Sequence, residues 1–122
     1  VAFLWHQGEN DANCGMLPTT YYSYVKQMVT AIRNRYDCPK LPIIVGDFVS
    51  QWRDENRSKT VLLLDVTNTM FQIGDAAFVE TDGLLSNTQM NGGSDALHFC
   101  RQSLYDLEHR YFETFSQITR NS

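Results

Sequence analysis

The sequence predicts a parallel three-layer α/β fold, and two observations carry that expectation. Strand-like and helix-like segments alternate from Val1 to Ile118, the pattern of a parallel sheet joined by right-handed crossovers. The two clearest strand candidates, Val1–Trp5 and Leu41–Val49, open as continuous apolar runs instead of alternating ones, as strands do when helices cover both faces of a sheet. Residues 1–122 are expected to form one α/β domain. Their number suffices for a single core, and no repeat, linker or low-complexity tract interrupts them.

The first run stops at His6-Gln7-Gly8-Glu9-Asn10-Asp11, where an imidazole, two amides and two carboxylates surround one glycine. Ligands of open α/β sheets bind beyond the carboxyl ends of strands, so this cluster is a candidate site. Leu17-Pro18-Thr19-Thr20 then opens a helix, with proline and threonine as its starting signals. Tyr22, Val25, Val29, Ile32 and Tyr36 form its apolar stripe, and Lys26, Arg33 and Arg35 lie off it. Asp37-Cys38-Pro39-Lys40 ends the helix, because proline and the residue before it resist helical geometry. After the second strand, Ser50–Asn56 carries Trp52, which either lines a cleft or covers the sheet edge. A helix is expected over Arg57–Gln72, stopped by Gly74. Ala76–Thr81 reads as the third strand, Asp82-Gly83 as a turn, and the polar connection to Ser94 as long enough to serve function. Arg101–Ile118 closes the chain as a helix with Leu104, Leu107, Tyr111, Phe115 and Ile118 on one face.

Ten basic residues against fourteen acidic ones give a formal charge of −4, with no basic block to hold a phosphate backbone, so nucleic acid is not an expected partner. The apolar runs are too short to span a bilayer, so no membrane partner is expected either. The chain opens on Val1 inside a strand. This reads as a native beginning that is missing, and the lack of a leader then leaves the compartment open. Cys14, Cys38 and Cys100 lack metal-site spacing. Cys14 and Cys38 could be bridged across one helix, but three reduced thiols is the simpler reading. No cofactor and no metal are expected.

A second candidate loop is Gly92-Gly93-Ser94-Asp95-Ala96-Leu97-His98-Phe99-Cys100, in which an acid precedes a histidine by three residues. One turn at that spacing brings the carboxylate to the imidazole. A base held in this way keeps the right tautomer and is steadied as an imidazolium, as acyl transfer requires. His98 is therefore the candidate base and Asp95 its orienting acid. A grouping of His6, Glu9, Asp11 and His98 around a metal matches no known spacing.

With Trp5-His6-Gln7-Gly8-Glu9-Asn10-Asp11-Ala12 at one end and Asp95-Ala96-Leu97-His98-Phe99 at the other, the chain resembles the SGNH-type carbohydrate esterases of the sialate O-acetylesterase and acetylxylan esterase group. The resemblance implies a flavodoxin-like three-layer fold and hydrolysis of acetyl esters on sugars without a cofactor, with acetylated carbohydrate as the partner. It mildly favours an extracellular or secretory setting. It also implies that Gln7 supplies an oxyanion-hole amide, with Gly8 allowing close backbone approach and Asn10 a further contact. Glu9 competes with Asp95 for the role of triad acid, while His6 is expected to be a structural hydrogen-bonder.

The serine that such enzymes carry in an N-terminal Gly-Gln-Ser or Gly-Asp-Ser loop is absent between Val1 and Ser122, so the fold is expected to be N-terminally incomplete. Ser94 is the nearest local candidate, but it follows two glycines and not a strand. Ala96, Cys100 and Glu108 stand where the group usually has Gly, Ser and Gly. Two readings follow: an esterase represented by its C-terminal part, or a non-catalytic module that keeps the cleft for carbohydrate or protein binding. An apolar sheet edge without its neighbour also invites self-association.

Overall fold

The computed structural model describes residues 1–59 and 72–121. The elements follow in the order β1 (Phe3–Trp5), α1 (Glu9–Asn13), α2 (Pro18–Arg35), β2 (Ile43–Gly46), α3 (Ser50–Glu55), β3 (Ala76–Val79), α4 (Asn87–Asn91) and α5 (Arg101–Arg120). The strands form one parallel sheet in the order β1-β2-β3. Phe3, Leu4 and Trp5 pair with Ile43, Ile44 and Val45, and Ile43–Gly46 pair in turn with Ala76–Val79.

β2 is central and buried on both sides. Successive strand residues point to opposite faces. Ile43 and Val45 accordingly pack with Tyr21, Val25 and Val29 of α2, whereas Ile44 packs with Leu107 and Tyr111 of α5. Ile43 and Ile44 are both fully inaccessible. Complete burial of such a side chain stabilises by about 1.5–3 kcal/mol, so this one dipeptide secures a helical layer on each face.

Pro18 occupies the first turn of α2, where its fixed φ suits a helix start and its missing N–H is not needed. The expected threonine cap is not formed; Leu17 precedes the helix without a side-chain cap. The apolar stripe runs through Tyr21, not Tyr22, and stops before Tyr36, which is exposed because the helix has already ended. Asp37 turns the chain at φ 48°, and the Arg33 guanidinium donates to the Leu41 and Gly74 carbonyls, each at 2.9 Å, tying the helix end to the entrances of β2 and β3.

Strands are shorter than their apolar runs. β2 ends at Gly46 because the Asp47 carboxylate turns back to accept from Phe48 N–H at 2.7 Å. Ser50–Glu55, to which the sequence assigned no element, is the short helix α3, and its Trp52 is a core residue packed against Phe48 with ring centroids 5.5 Å apart. Most of the helix expected over Arg57–Gln72 lies outside the described residues. The polar connection after β3 contains α4, capped by Ser86 and Gln89 in a reciprocal box whose Ser-x-x-Gln signature is legible in the sequence and was passed over.

Among the described residues, no strand pairs with the outer edge of β1. Leu4 is 56% exposed beside Leu104 and Phe112 of α5, and an open apolar groove of about 580 Å³ runs past Ala2, Leu4, Leu104, Tyr111, Phe112 and Phe115. α5 lies over β2 and β3.

Tyr111 fixes α5 against the sheet. Its hydroxyl donates to the Trp5 carbonyl at 3.0 Å, passing over Gly46. A Cβ at Gly46 would collide with that hydroxyl and lie 2.9 Å from ring atom Cζ. Gly46→Ala is expected to lower the unfolding free energy by about 1–3 kcal/mol, as overpacking does, and Tyr111→Phe by about 1 kcal/mol, the net worth of the hydrogen bond. Urea denaturation measures both, and an unchanged midpoint for Gly46→Ala would show that α5 is free to shift.

Candidate active site at the carboxyl ends of the strands

Parallel pairing delivers the segments after β1 and β2 to one end of the sheet. The chain leaves β1 through His6 and Gln7 and turns sharply at Gly8, whose φ is 141°. A side chain there would be strained by that φ, and its Cβ would lie tightly, 3.1 Å from Phe48 Cζ and 3.3 Å from the Tyr21 hydroxyl. Gly8 then starts α1, its carbonyl accepting from Ala12 N–H at 2.8 Å. Glu9 and Asn10 stand in the first turn, Glu9 half-buried and Asn10 exposed.

Gln7 is held at several points. Its side-chain amide donates to Asp11 Oδ2 at 2.7 Å, and its backbone carbonyl accepts from the Tyr21 hydroxyl at 3.0 Å. Tyr21 accepts in turn from the Trp5 indole N–H at 3.1 Å. An amide NH₂ carries two hydrogens, so Gln7 keeps one after Asp11 is served. Burial is the main reason that the Tyr21 hydroxyl is pushed up to about 12, and it therefore stays a donor at every ordinary pH.

His6 joins this loop to the others. Its Nε2 lies 3.0 Å from the Asp47 carbonyl, and since a carbonyl can only accept, Nε2 carries the hydrogen. The His6 ring sits 5.7 Å from the Phe99 ring and 6.4 Å from that of Phe48, between the segment that follows β2 and the residue next to His98. Behind it, Asp47 is held by Arg53, which also reaches Asp82 at 3.1 Å. Burial still raises the Asp47 carboxyl above its ordinary value, against the pull of Phe48 N–H and Arg53.

Asp95 and His98 meet directly. Asp95 Oδ1 lies 2.9 Å from His98 Nδ1 and also accepts from His98 N–H at 3.1 Å. Because a carboxylate accepts, Nδ1 bears the hydrogen and Nε2 is left with its lone pair. The His98 side chain is 71% exposed. Asp95 Oδ2 accepts from the Asn87 amide at 2.9 Å, and that bond, followed by those from His98, holds the Asp95 carboxyl below its ordinary value. The loop is closed against α4: Asn87 N–H donates to the His98 carbonyl and Thr88 N–H to the Asp95 carbonyl, each at 3.0 Å, beside an antiparallel bridge between Ser86 and Phe99.

The sequence profile of a family described as carbohydrate esterase, sialic acid-specific acetylesterase, matches residues 1–117, a span that takes in both loops. The chain belongs to this carbohydrate esterase family. No curated protein matches the chain.

In this esterase-family chain the structure joins Asp95 to His98 and leaves Glu9 apart, in α1, its carboxylate accepting no hydrogen bond among the described residues. No three metal-ligating side chains gather among the described residues: His6 turns to Asp47, Asp11 to Gln7 and His98 to Asp95. Cys14, Cys38 and Cys100 are free, Cys100 buried with its thiol on the Ser103 hydroxyl. Among the described residues, no helix is long and apolar enough to cross a membrane. Sequence reasoning missed Asn87, Tyr21 and Arg53. Asn87 had a signal in the Ser86 capping box beside it, whereas Tyr21 and Arg53 are ordinary residues whose partners come from elsewhere in the chain.

Burial also pushes the Tyr111 hydroxyl up to about 12, so Tyr21 and Tyr111 both hold their protons more tightly folded than unfolded. The stability they confer is complete below their ordinary value of 10.0 and is lost as pH rises from there toward about 12. Denaturant midpoints across that interval should fall with pH, and more gently in Tyr21→Phe. A wild-type slope in that variant would show that the hydroxyl ionises freely in the fold.

Proposed function

We propose that residues 1–122 form the C-terminal portion of one esterase domain that hydrolyses acetyl esters on sugars by a serine mechanism, the serine coming from a segment outside this chain. The observation that carries the reading is the Asp95–His98 pair, with the acid on Nδ1 and Nε2 open to solvent. In this reading His98 Nε2 takes the serine proton as the hydroxyl attacks the acetyl carbonyl, then returns it to the departing sugar oxygen. Water repeats the cycle on the acetyl-serine and releases acetate. Asp95 holds the ring and balances the imidazolium. The second hydrogen of the Gln7 amide is the oxyanion donor, Gly8 lets the backbone approach, and Asn10 is a sugar contact on the exposed turn.

Asp95 is preferred to Glu9 as the triad acid because one short loop places it on the imidazole, whereas Glu9 belongs to another strand end. Within the chain, Ser50 follows β2 but donates its hydroxyl to the Thr81 carbonyl at 3.2 Å, and Ser94 is exposed in the loop that His98 ends. No serine hydroxyl bonds His98 among the described residues. The second reading is a binding module that retains the cleft.

Aryl acetate hydrolysis separates the two. This chain alone should turn over no faster than its His98→Ala variant. In a longer form bearing a Gly-x-Ser segment, Asp95→Asn should cut kcat/KM for an acetylated sugar by about 10³–10⁴, the loss expected when the base takes the wrong tautomer, and Glu9→Gln by much less. A larger loss for Glu9→Gln would give it the acid's role, and an inactive longer form would favour the module.

The β1 edge, unpaired among the described residues, should also make the isolated chain self-associate through Leu4 and its neighbours. Size-exclusion chromatography over a dilution series should show the apparent mass falling on dilution, with Leu4→Lys smaller at every concentration. A monomer throughout would mean that the edge attracts no second copy.

A further inference from the structure

We propose that Asn87 is a positioning residue for the Asp95–His98 pair, an inference that rests on the esterase reading of that pair. Both Asp95 and His98 are exposed enough for water to compete for them, since their side chains are 41% and 71% accessible. An exposed acid–imidazole contact on its own fixes geometry weakly. Something must hold the carboxylate so that Oδ1 stays on the ring, and Asn87 hydrogen-bonds both members of the pair.

Its side chain donates to Asp95 Oδ2 at 2.9 Å, the oxygen that does not face the imidazole. Oδ1 is thereby left to His98, whose N–H and Nδ1 it accepts at 3.1 and 2.9 Å. Rotation of the carboxylate would break all three bonds together. The Asn87 main chain holds the other partner, its N–H donating to the His98 carbonyl at 3.0 Å. Asp95 and His98 are therefore fastened to one turn, the acid by a side chain and the base by a backbone.

Asn87 is itself immobilised. It follows Ser86, which is fully buried, caps α4 through Gln89 and is bonded by Gln51 of α3. The anchor thus reaches back to the segment after β2. An amide is suited to the position: it supplies a donor to the carboxylate without adding a cation that would compete with His98 for Oδ1.

The test is the imidazole tautomer of His98 in this chain, read from its ring nitrogens by ¹⁵N NMR under conditions where the ring is neutral. An imidazole in water favours the form with hydrogen on Nε2, so hydrogen on Nδ1 reports that the carboxylate is in place. The wild type should show Nδ1–H. Asn87→Leu, which removes the donor at similar size, and Asn87→Asp, which reverses its polarity at the same shape, should both shift the ring toward Nε2–H. The Trp5 indole N–H signal, which reports the distant bond to Tyr21, should stay at its wild-type position. Nδ1–H retained in either variant would overturn the proposal while leaving the pair intact. Asp95→Ala, which leaves no acceptor for the ring, is the separate arm: if it too keeps Nδ1–H, the pair and the esterase reading built on it fail together.

Discussion

The whole arrangement depends on β2 being covered on two faces at once. Ile43 and Ile44 point in opposite directions and both are sealed, so α2 and α5 are placed by adjacent residues of one strand. Parallel pairing on both sides of β2 then fixes where the chain must leave the sheet. His6 and Asp47 emerge side by side for that reason, close enough for one to hydrogen-bond the other. The polar chemistry is a consequence of apolar packing a few residues upstream.

At that end of the sheet, each candidate side chain is aimed by a neighbouring hydrogen-bond partner. Tyr21 grips the Gln7 backbone, Asp11 engages one hydrogen of its amide, and Asn87 occupies the spare oxygen of Asp95. His6 and His98 end in opposite states: a carbonyl acceptor makes Nε2 of the first a donor, and a carboxylate on Nδ1 of the second leaves its Nε2 an acceptor. The difference lies in the neighbours of two identical rings.

Much of this was legible in the sequence because it is written in local spacing. The unbroken apolar run of Leu41–Val49 announced a strand covered on both faces, whereas the equally apolar Val1–Trp5 is an edge strand of the described sheet with Leu4 exposed, and the three-residue step from Asp95 to His98 announced a contact that one turn makes. What could not be read depends on distant partners. Tyr21 and Tyr22 differ by one position on a helix, and Tyr21 is the buried one, packed with Ile43 and Val45 and bonded by the Trp5 indole. Trp52 had two equal readings until Phe48 was seen against it. The short helices α3 and α4 carry too few residues for an apolar period, although the Ser86–Gln89 box marked one of them. Strand ends were overrun for a related reason: hydrophobicity continues through Phe48 and Val49 into the core after the ladder has stopped.

The separation between paired strands has a consequence for how the chain reaches this state. Phe3 pairs with Ile43 and Ile43 with Ala76, so each rung closes a loop of dozens of residues before any local contact rewards it. Among the described elements α5, which covers Ile44, is the last to be synthesised. While the chain is still being made, β2 can therefore acquire α2 on one face before α5 is available to the other. Closing that second face brings Tyr111 to the Trp5 carbonyl across the gap left by Gly46.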